Sequence, residues 1–181
     1  EILRIANKEL MIPRLELVRD LFLFSCFTGL AYIDVANLRR EHLVTLDGKA
    51  WIMTRRKKTS VESNILLLDI PKAIIEKYSS STTTQDGKLF PILSNQEMNA
   101  YLKEIADVCG LQKRLTFHLA RHTFATMSLS KGVPMESVSK MLGHTNIKTT
   151  QIYARITSKK IEHDMEQLAG KLDKFNEAMG L

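Results

Sequence analysis

The sequence predicts a mainly α-helical domain with a small antiparallel β-sheet, which is an α+β fold. Apolar residues recur at helical spacing through most of the 181 residues, and Ser94 and Thr116 are suitable N-caps for two of the helices. Residues 42–68 depart from that spacing, because they hold short apolar runs separated by turn residues. The length suits one domain with a real core, so residues 1–181 are interpreted as a single domain.

The first part of the chain is predicted to be helical up to the sheet. Residues 1–12 are expected to form a short first helix or a linker, and Pro13 begins a helix that covers about 14–27. That helix is apolar on all sides, which predicts that it is buried. A second short helix is expected over residues 32–40.

Three strands are predicted between residues 42 and 68. Asp47-Gly48 is expected to form a type I′ turn between the first two strands, because both of its residues tolerate a positive φ. The third strand is predicted over 61–68, after a turn at 57–60. The second hairpin therefore carries a basic turn.

The rest of the chain is predicted to form helices joined by short connections. Glycine and proline mark several of the helix ends, and 79–87 is expected to be a polar surface loop. The predicted helices cover residues 73–78, 95–109, 117–131, 134–142, 146–155 and 157–176.

Charge and composition favour a polyanion such as double-stranded DNA as the partner. The formal net charge is +6 and the pI is about 9.3, and the stretch from Lys49 to Lys58 holds five basic residues and no acidic one. We expect no signal peptide and no membrane span, because no apolar run is long enough. Cys26 and Cys109 lack metal-site spacing, so buried thiols in a reducing cytoplasm are expected.

Four polar side chains within residues 116–155 form a candidate catalytic group: His118, Arg121, His144 and Tyr153. His118 and Arg121 are three positions apart on a predicted helix, so they are neighbours on one face. A guanidinium group suits phosphate oxygens, an imidazole can donate a hydrogen bond or move a proton, and a phenol oxygen can attack phosphorus. Together these groups predict cleavage of a phosphodiester.

Each of these residues also has a structural interpretation that the residue types alone leave open. Tyr153 could pack in a half-buried position, Arg121 could form a surface ion pair, and His144 could cap a helix beside Gly143. His122 is interpreted as structural support.

A zinc site is the remaining alternative for the two histidines of the predicted helix. His118 and His122 have the i, i+4 spacing of a metal pair, but Leu119 stands where the metalloprotease motif needs a glutamate. No metal is therefore predicted.

Several short motifs occur in a fixed order along the chain. Residues 118–122 read His-Leu-Ala-Arg-His, residues 142–144 read Leu-Gly-His, and a tyrosine follows nine positions later. In this order they resemble the catalytic domain of tyrosine recombinases, the phage integrase family. Upstream, 27–34 resembles the first conserved box of that family, and 56–59 resembles its lysine-bearing β-hairpin.

The resemblance implies a site-specific recombinase that cuts and rejoins DNA through a 3′-phosphotyrosine intermediate, to integrate or excise a mobile element. Tyr153 would be the nucleophile, and Arg121 would hold the phosphate. His118 and His144 would donate hydrogen bonds to the phosphate or move protons, and Lys58 would protonate the leaving 5′ oxygen.

The resemblance also implies how the protein assembles. Several protomers, as a tetramer, would act together on DNA without a metal, a nucleotide or another cofactor, and the chain would be a monomer alone. An upstream DNA-binding domain is expected before this stretch. Residues 157–181 would form a C-terminal segment exchanged between protomers, and packing on its own domain is the alternative.

The first box departs from the family at Ala31, where an arginine is usual. Arg56 is the hypothesised replacement, because strand alternation places Arg56 and Lys58 on one side of the hairpin and Arg55 and Lys57 on the other. The competing interpretation is that Arg56 holds a backbone phosphate at a distance, within a DNA-binding cluster of residues 55–58.

The missing arginine keeps a second class of function open, in which the chain is a non-catalytic or impaired DNA-binding module. A type IB topoisomerase-like enzyme is a further alternative, which the helical composition and the Leu-Gly-His motif disfavour.

Overall fold

The computed structural model describes residues 1–79, 87–154 and 158–179, and within these ranges the chain is mainly helical. One three-stranded antiparallel sheet accompanies the helices, so the predicted fold class is confirmed. None of the helices in these ranges is long and apolar enough to cross a bilayer. The elements are α1 (Ile2–Ala6), α2 (Pro13–Thr28), α3 (Tyr32–Ala36), a 3-10 turn (Arg40–His42), β1 (Leu43–Leu46), β2 (Lys49–Arg55), β3 (Glu62–Leu66), α4 (Asp69–Ser79), α5 (Asn95–Val108), α6 (Phe117–Ser130), α7 (Met135–Met141), α8 (Lys148–Gln151), α9 (Ser158–Lys171) and α10 (Asp173–Met179).

Helix α2 lies at the centre of the fold, as its apolar sides predict. Consecutive residues Phe22, Leu23 and Phe24 point about 100° apart, and all three are buried. Helices α4, α5 and α6 pack around α2. Gly29 ends the helix in the left-handed region at φ +70°, where a residue without Cβ is favoured. The end of α2 is therefore deep inside the molecule.

The sheet has the strand order β1-β2-β3, and both pairs are antiparallel. Asp47 and Gly48 have φ values of +50° and +72°, as the predicted type I′ turn requires. Ile52 and Ile65 pair across β2 and β3 and face the core. The third strand is shorter than predicted, because α4 begins at Asp69 and the chain leaves the sheet before it.

Several helices differ in length from the prediction. Helix α1 ends at Ala6, within the predicted range 1–12, and Ile12 is extended before Pro13. Helix α4 starts at Asp69, ahead of Pro71, because a proline in the first turn removes no helical hydrogen bond. The last predicted helix is divided at Leu172, and its expected start at 157 lies outside the described residues, as does most of the 79–87 loop.

The segment that carries Tyr153 is a turn rather than the predicted helix over 146–155. Helix α8 covers only Lys148–Gln151. The N–H of Tyr153 donates to the carbonyl of Thr150 at 3.0 Å, three residues back, and Ala154 repeats the pattern with Gln151. This i−3 spacing winds more tightly than an α-helix, so Tyr153 lies just beyond α8.

A second, smaller core joins α6 to α7. Its buried members are Phe124, Ala125, Leu129, Val138 and Leu142. The half-buried Tyr153 packs against it. This cluster therefore holds the segment after α8 close to the face of α6.

Gly29→Ala is expected to lower the free energy of unfolding by roughly 2–4 kcal/mol, because two costs add at this position. A Cβ would stand 2.5 Å from Cδ1 of Phe124, and the φ of +70° is unfavourable for any side chain. Urea denaturation measures the loss.

Gly48→Ala is the matched control for that substitution. Its φ is +72°, but no atom lies within 4 Å of the added Cβ, so only backbone strain of about 1 kcal/mol is expected. Equal losses in the two variants would contradict the tight contact between Gly29 and Phe124.

Candidate active site

Arg121 lies in the second turn of α6 and only 6% of its surface is exposed. The side chain of Thr116 caps the start of that helix and so fixes its register. The guanidinium group donates to the carbonyl of Gly29 at 2.6 Å and to that of Leu142 at 2.7 Å. It also lies 3.0 Å from Nε2 of His144. Arg121 therefore joins the end of α2 to the end of α7.

The charge on Arg121 is kept despite its burial. Desolvation, followed by the positive charge of Arg56, lowers the pKa of Arg121 to about 10, while Tyr153 and Asp34 act in the opposite direction. The group is therefore a cation at neutral pH. A buried cation of this kind is suited to holding an anion.

His144 follows the end of α7 and is half-buried. Its Nδ1 lies 2.8 Å from the hydroxyl of Thr150 in α8, opposite the contact with Arg121. Burial, followed by the charges of Arg121 and Arg56, lowers the pKa of His144 to about 4. The ring is therefore neutral at physiological pH and held at both nitrogens.

Arg56 follows β2 and is 8% exposed, so the candidate replacement for the missing arginine is inside the same group. Its terminal nitrogen donates to the carbonyl of Leu142 at 2.7 Å, the oxygen that also accepts from Arg121. Its stem fills the space beside Gly143, where an added Cβ would overlap Cγ of Arg56. Arg56 and Arg121 are thus adjacent cations joined through one oxygen.

Asp34 completes the group, and the sequence reasoning did not single it out. Its carboxylate pairs with Nε of Arg56 at 2.7 Å and accepts the backbone N–H of Lys57 at 2.9 Å. The side chain is 1% exposed. A lone carboxylate on the short helix α3 gives no periodic signal, so only the docking of the hairpin identifies its partner.

The tip of the second hairpin remains outside this buried group. Arg55 is exposed and pairs with Glu62 at 3.1 Å, whereas Arg56 is buried, so the expected alternation holds between them. Lys57 and Lys58 are both exposed in the turn. Lys58 does not follow Arg56 inward, because β2 ends at Arg55 and strand alternation does not extend into a turn.

Two hydrogen bonds fasten the hairpin to the end of α7. The hydroxyl of Thr59 donates to the carbonyl of Gly143 at 3.3 Å, and the hydroxyl of Ser63 donates to the carbonyl of Met141. The turn that carries Lys58 is therefore tied beside His144.

Tyr153 lies against His122, with ring centroids 4.9 Å apart in an edge-to-face arrangement. His122 and His118 are both exposed on α6. The structure thus places Arg121 against His144, joins Arg56 to Arg121 through the carbonyl of Leu142, and leaves His118 on the surface one turn away. In the described part of the chain, no group of three or more His, Cys, Asp or Glu side chains could hold a metal ion.

Curated proteins to which this chain is similar are tyrosine recombinases. The tyrosine recombinase XerA of Thermococcus onnurineus is 39% identical over 156 residues, which cover 80% of this chain and 52% of that protein. XerA of Saccharolobus solfataricus is 36% identical over 105 residues, which cover 58% of this chain and 35% of that protein. The chain therefore spans between about a third and a half of these curated relatives.

Solved structures show the same fold at low sequence identity. The XerH recombinase in a post-cleavage complex with its difH substrate has a TM-score of 0.72 at 20% identity, covering 91% of this chain and 49% of that one. The Tn1549 transposon integrase in complex with transposon right-end DNA has a TM-score of 0.66 at 17% identity, covering 93% of this chain and 62% of that one.

The sequence matches the phage integrase family model over residues 3–160. The resemblance seen in the motifs is thus confirmed: this chain belongs to the phage integrase family and has the fold of a tyrosine recombinase catalytic domain.

Proposed function

We propose that this chain is the catalytic domain of a site-specific recombinase that cuts and rejoins double-stranded DNA through a phosphotyrosine on Tyr153. The observation that carries the proposal is the pair of buried guanidinium groups, Arg121 and Arg56, that donate to one carbonyl beside His144. Two adjacent cations and a neutral imidazole match the charge that develops on phosphate oxygens during attack at phosphorus. Such an enzyme would work in the cytoplasm and act on the ends of a mobile element.

The reaction exchanges one phosphodiester bond for another. The phenol oxygen of Tyr153 attacks phosphorus, its proton passes to His118 or His144, and the bond from phosphorus to the 5′ oxygen breaks. Lys58, at the tip of the hairpin beside the site, protonates the departing 5′ oxygen. Attack by a 5′ hydroxyl of another strand reverses these steps and rejoins the DNA.

The N–H groups that the two arginines do not use within the protein support phosphate binding. Arg121 has five N–H groups, and the described contacts occupy three of them: one on Gly29, one on Leu142 and one on His144. Arg56 donates one terminal N–H to Leu142, and its Nε forms an ion pair with Asp34 at 2.7 Å without hydrogen-bond geometry. Each arginine therefore keeps donors beyond these contacts, and both can reach an oxyanion from neighbouring positions.

Tyr153→Phe is expected to abolish the covalent link to DNA while leaving DNA binding unchanged, because only the attacking oxygen is removed. The 181-residue chain would be incubated with short fragments of the genome that carries its gene, and the mixture stopped with detergent. Fragments that remain covalently attached would be counted and sequenced. The wild-type chain should trap DNA equally well in EDTA, since Arg, His and Lys side chains handle the charge.

The same assay separates the alternatives. A non-catalytic module would bind DNA and form no adduct in the wild-type chain, and a topoisomerase-like enzyme would trap fragments without sequence preference. Lys58→Ala should slow adduct formation with little change in binding. An adduct that persists in the phenylalanine variant would remove Tyr153 from the mechanism.

The proposal assigns to Arg56 the charge that is missing at Ala31. Its support is the burial of Arg56 against the carbonyl that Arg121 also contacts, and its ion pair with Asp34. Ala31 is the N-cap residue of α3, three positions before Asp34. An arginine at position 31 would therefore be a neighbour of the same carboxylate.

Arg56→Ala is expected to lower the rate of adduct formation at saturating DNA by about 10²-fold, the scale of losing one donor to the transition state. Adding Ala31→Arg to that variant should restore part of the rate. Single-turnover kinetics with the trapped fragments measures both effects.

Lys57→Ala is the matched control from the same turn, because Lys57 is exposed and basic but lies outside the buried group. It should reduce the salt dependence of DNA binding by about one unit of slope, as expected for one backbone phosphate, and leave cleavage at saturation unchanged. If Arg56→Ala behaves like Lys57→Ala, Arg56 only contacts the DNA backbone, and it does not replace the arginine that is missing at position 31.

The proposed assembly on DNA, a tetramer of chains that are monomers alone, gives the C-terminal helices a role. Ile161, Met165 and Leu168 of α9, with Leu172 directly after its end, form an apolar stripe that is 39–58% exposed. An uncovered apolar stripe supports docking on a neighbouring protomer over packing on its own domain.

Replacing Met165 and Leu168 with glutamate should therefore weaken cooperative assembly on DNA by about tenfold or more, because two apolar contacts are lost. Gel shift and sedimentation would measure the assembly, and circular dichroism would report the fold. Glu166→Gln, outside the stripe, is the control. Unchanged cooperativity in the double variant would argue against exchange of the C-terminal segment between protomers.

A further inference from the structure

The hydroxyl of Thr150 is buried against the candidate catalytic histidine. Thr150 is 0% exposed in the short helix α8, and its Oγ1 lies 2.8 Å from Nδ1 of His144. A buried hydroxyl is normally hydrogen-bonded, and this ring nitrogen is the partner that the structure gives it. Neither the family motifs nor the proposed reaction assigns a role to this contact.

The contact with Arg121 indicates which nitrogen of His144 carries the proton in the free protein. A guanidinium N–H can only donate, so Nε2 of His144, 3.0 Å from Arg121, accepts. A neutral imidazole that accepts at Nε2 carries its proton at Nδ1, and Nδ1 therefore donates to the hydroxyl of Thr150. Burial, followed by the charges of Arg121 and Arg56, lowers the pKa of His144 and keeps the ring neutral, and Asp34 faces the ring only through its ion pair with Arg56.

A bound phosphate requires the proton of the His144 ring to be on the other nitrogen, Nε2. A non-bridging phosphate oxygen can only accept, so His144 contributes a hydrogen bond to it only when Nε2 bears the proton. Nε2 then takes a proton from solvent while Nδ1 releases one, and the net charge of the ring does not change. After this exchange Nδ1 is an acceptor and requires a donor.

A hydroxyl is suited to both states, because it can accept a hydrogen bond and, after rotating, donate one. We propose that Thr150 is a positioning residue whose hydroxyl holds His144 in the Nδ1–H form in the free protein and in the Nε2–H form against the scissile phosphate. The second half of this inference rests on the proposed function. The first half is a property of the free protein and can be measured without DNA.

The ring nitrogens can be observed directly. In a chain labelled with ¹⁵N-histidine, long-range proton–nitrogen spectra distinguish the two neutral forms, and His144→Gln identifies the signal of interest. Wild type and Thr150→Ser should show the Nδ1–H form at neutral pH. Thr150→Val, which keeps the shape and removes the hydroxyl, should lose it. A wild-type ring in the Nε2–H form, or a valine variant that keeps the Nδ1–H form, would overturn the inference.

Adduct formation at saturating DNA tests the second half. Thr150→Val should slow it by about 10–100-fold, the range seen when the hydrogen-bond partner of a functional histidine is removed. Thr150→Ser should remain close to wild type. Thr149→Val, the exposed neighbour in α8, is the control and should have no effect. A serine variant as slow as the valine variant would assign the loss to packing and overturn the proposal.

The spectra of the free protein and the rate of adduct formation test the two halves of the inference independently. If the wild-type chain forms no adduct, the proposed function is refuted, while the spectra still decide the role of Thr150 in the free protein. If Thr150→Val does not fold, the wild-type ring form and the rate of Thr150→Ser still decide the inference.

Discussion

The carbonyl oxygen of Leu142 is the contact on which the rest of the site depends. It stands at the C-cap of α7, where a helix leaves carbonyl groups without partners, and both Arg56 and Arg121 donate to it at 2.7 Å. Two like charges this close repel each other, and burial strengthens the repulsion. The oxygen supplies negative partial charge between them, and the buried carboxylate of Asp34 neutralises one of the two. The second hairpin, α6 and the end of α7 are distant in sequence, and they are thus held together at the carbonyl of Leu142.

Two glycines make this convergence possible for different physical reasons. Gly29 offers its carbonyl to Arg121 at the end of α2, in a position where Phe124 leaves no space for a side chain. Gly143 turns the chain at φ +60° directly after the shared carbonyl and leaves room for the stem of Arg56. A methyl group at Gly143 would displace the stem of Arg56, whereas a methyl group at Gly29 would displace Phe124 and Leu142, which pack beside the carbonyl that Arg121 contacts.

Local patterns and motifs predicted much of this arrangement, and long-range contacts account for what they missed. The buried helix α2 follows from its apolar sides, and the Asp47-Gly48 turn follows from residue types that tolerate positive φ. Asp34 was missed because a lone carboxylate on a five-residue helix carries no periodic signal; only docking of the hairpin reveals its partner. The inward position of Lys58 was expected from alternation, which ends where β2 ends.

The distances along the chain between these partners determine when the candidate site is assembled during folding. Arg56 meets Leu142 across 86 residues of sequence, and Arg121 meets Gly29 across 92. Contacts of such separation form late in folding, because the entropy of closing long loops must be overcome first. A partly folded chain still carries its basic residues but has not yet brought Arg56, Arg121 and His144 together. On the proposed function, competence to cut DNA therefore arises only with completion of the fold, and immature copies of the protein would leave the genome intact.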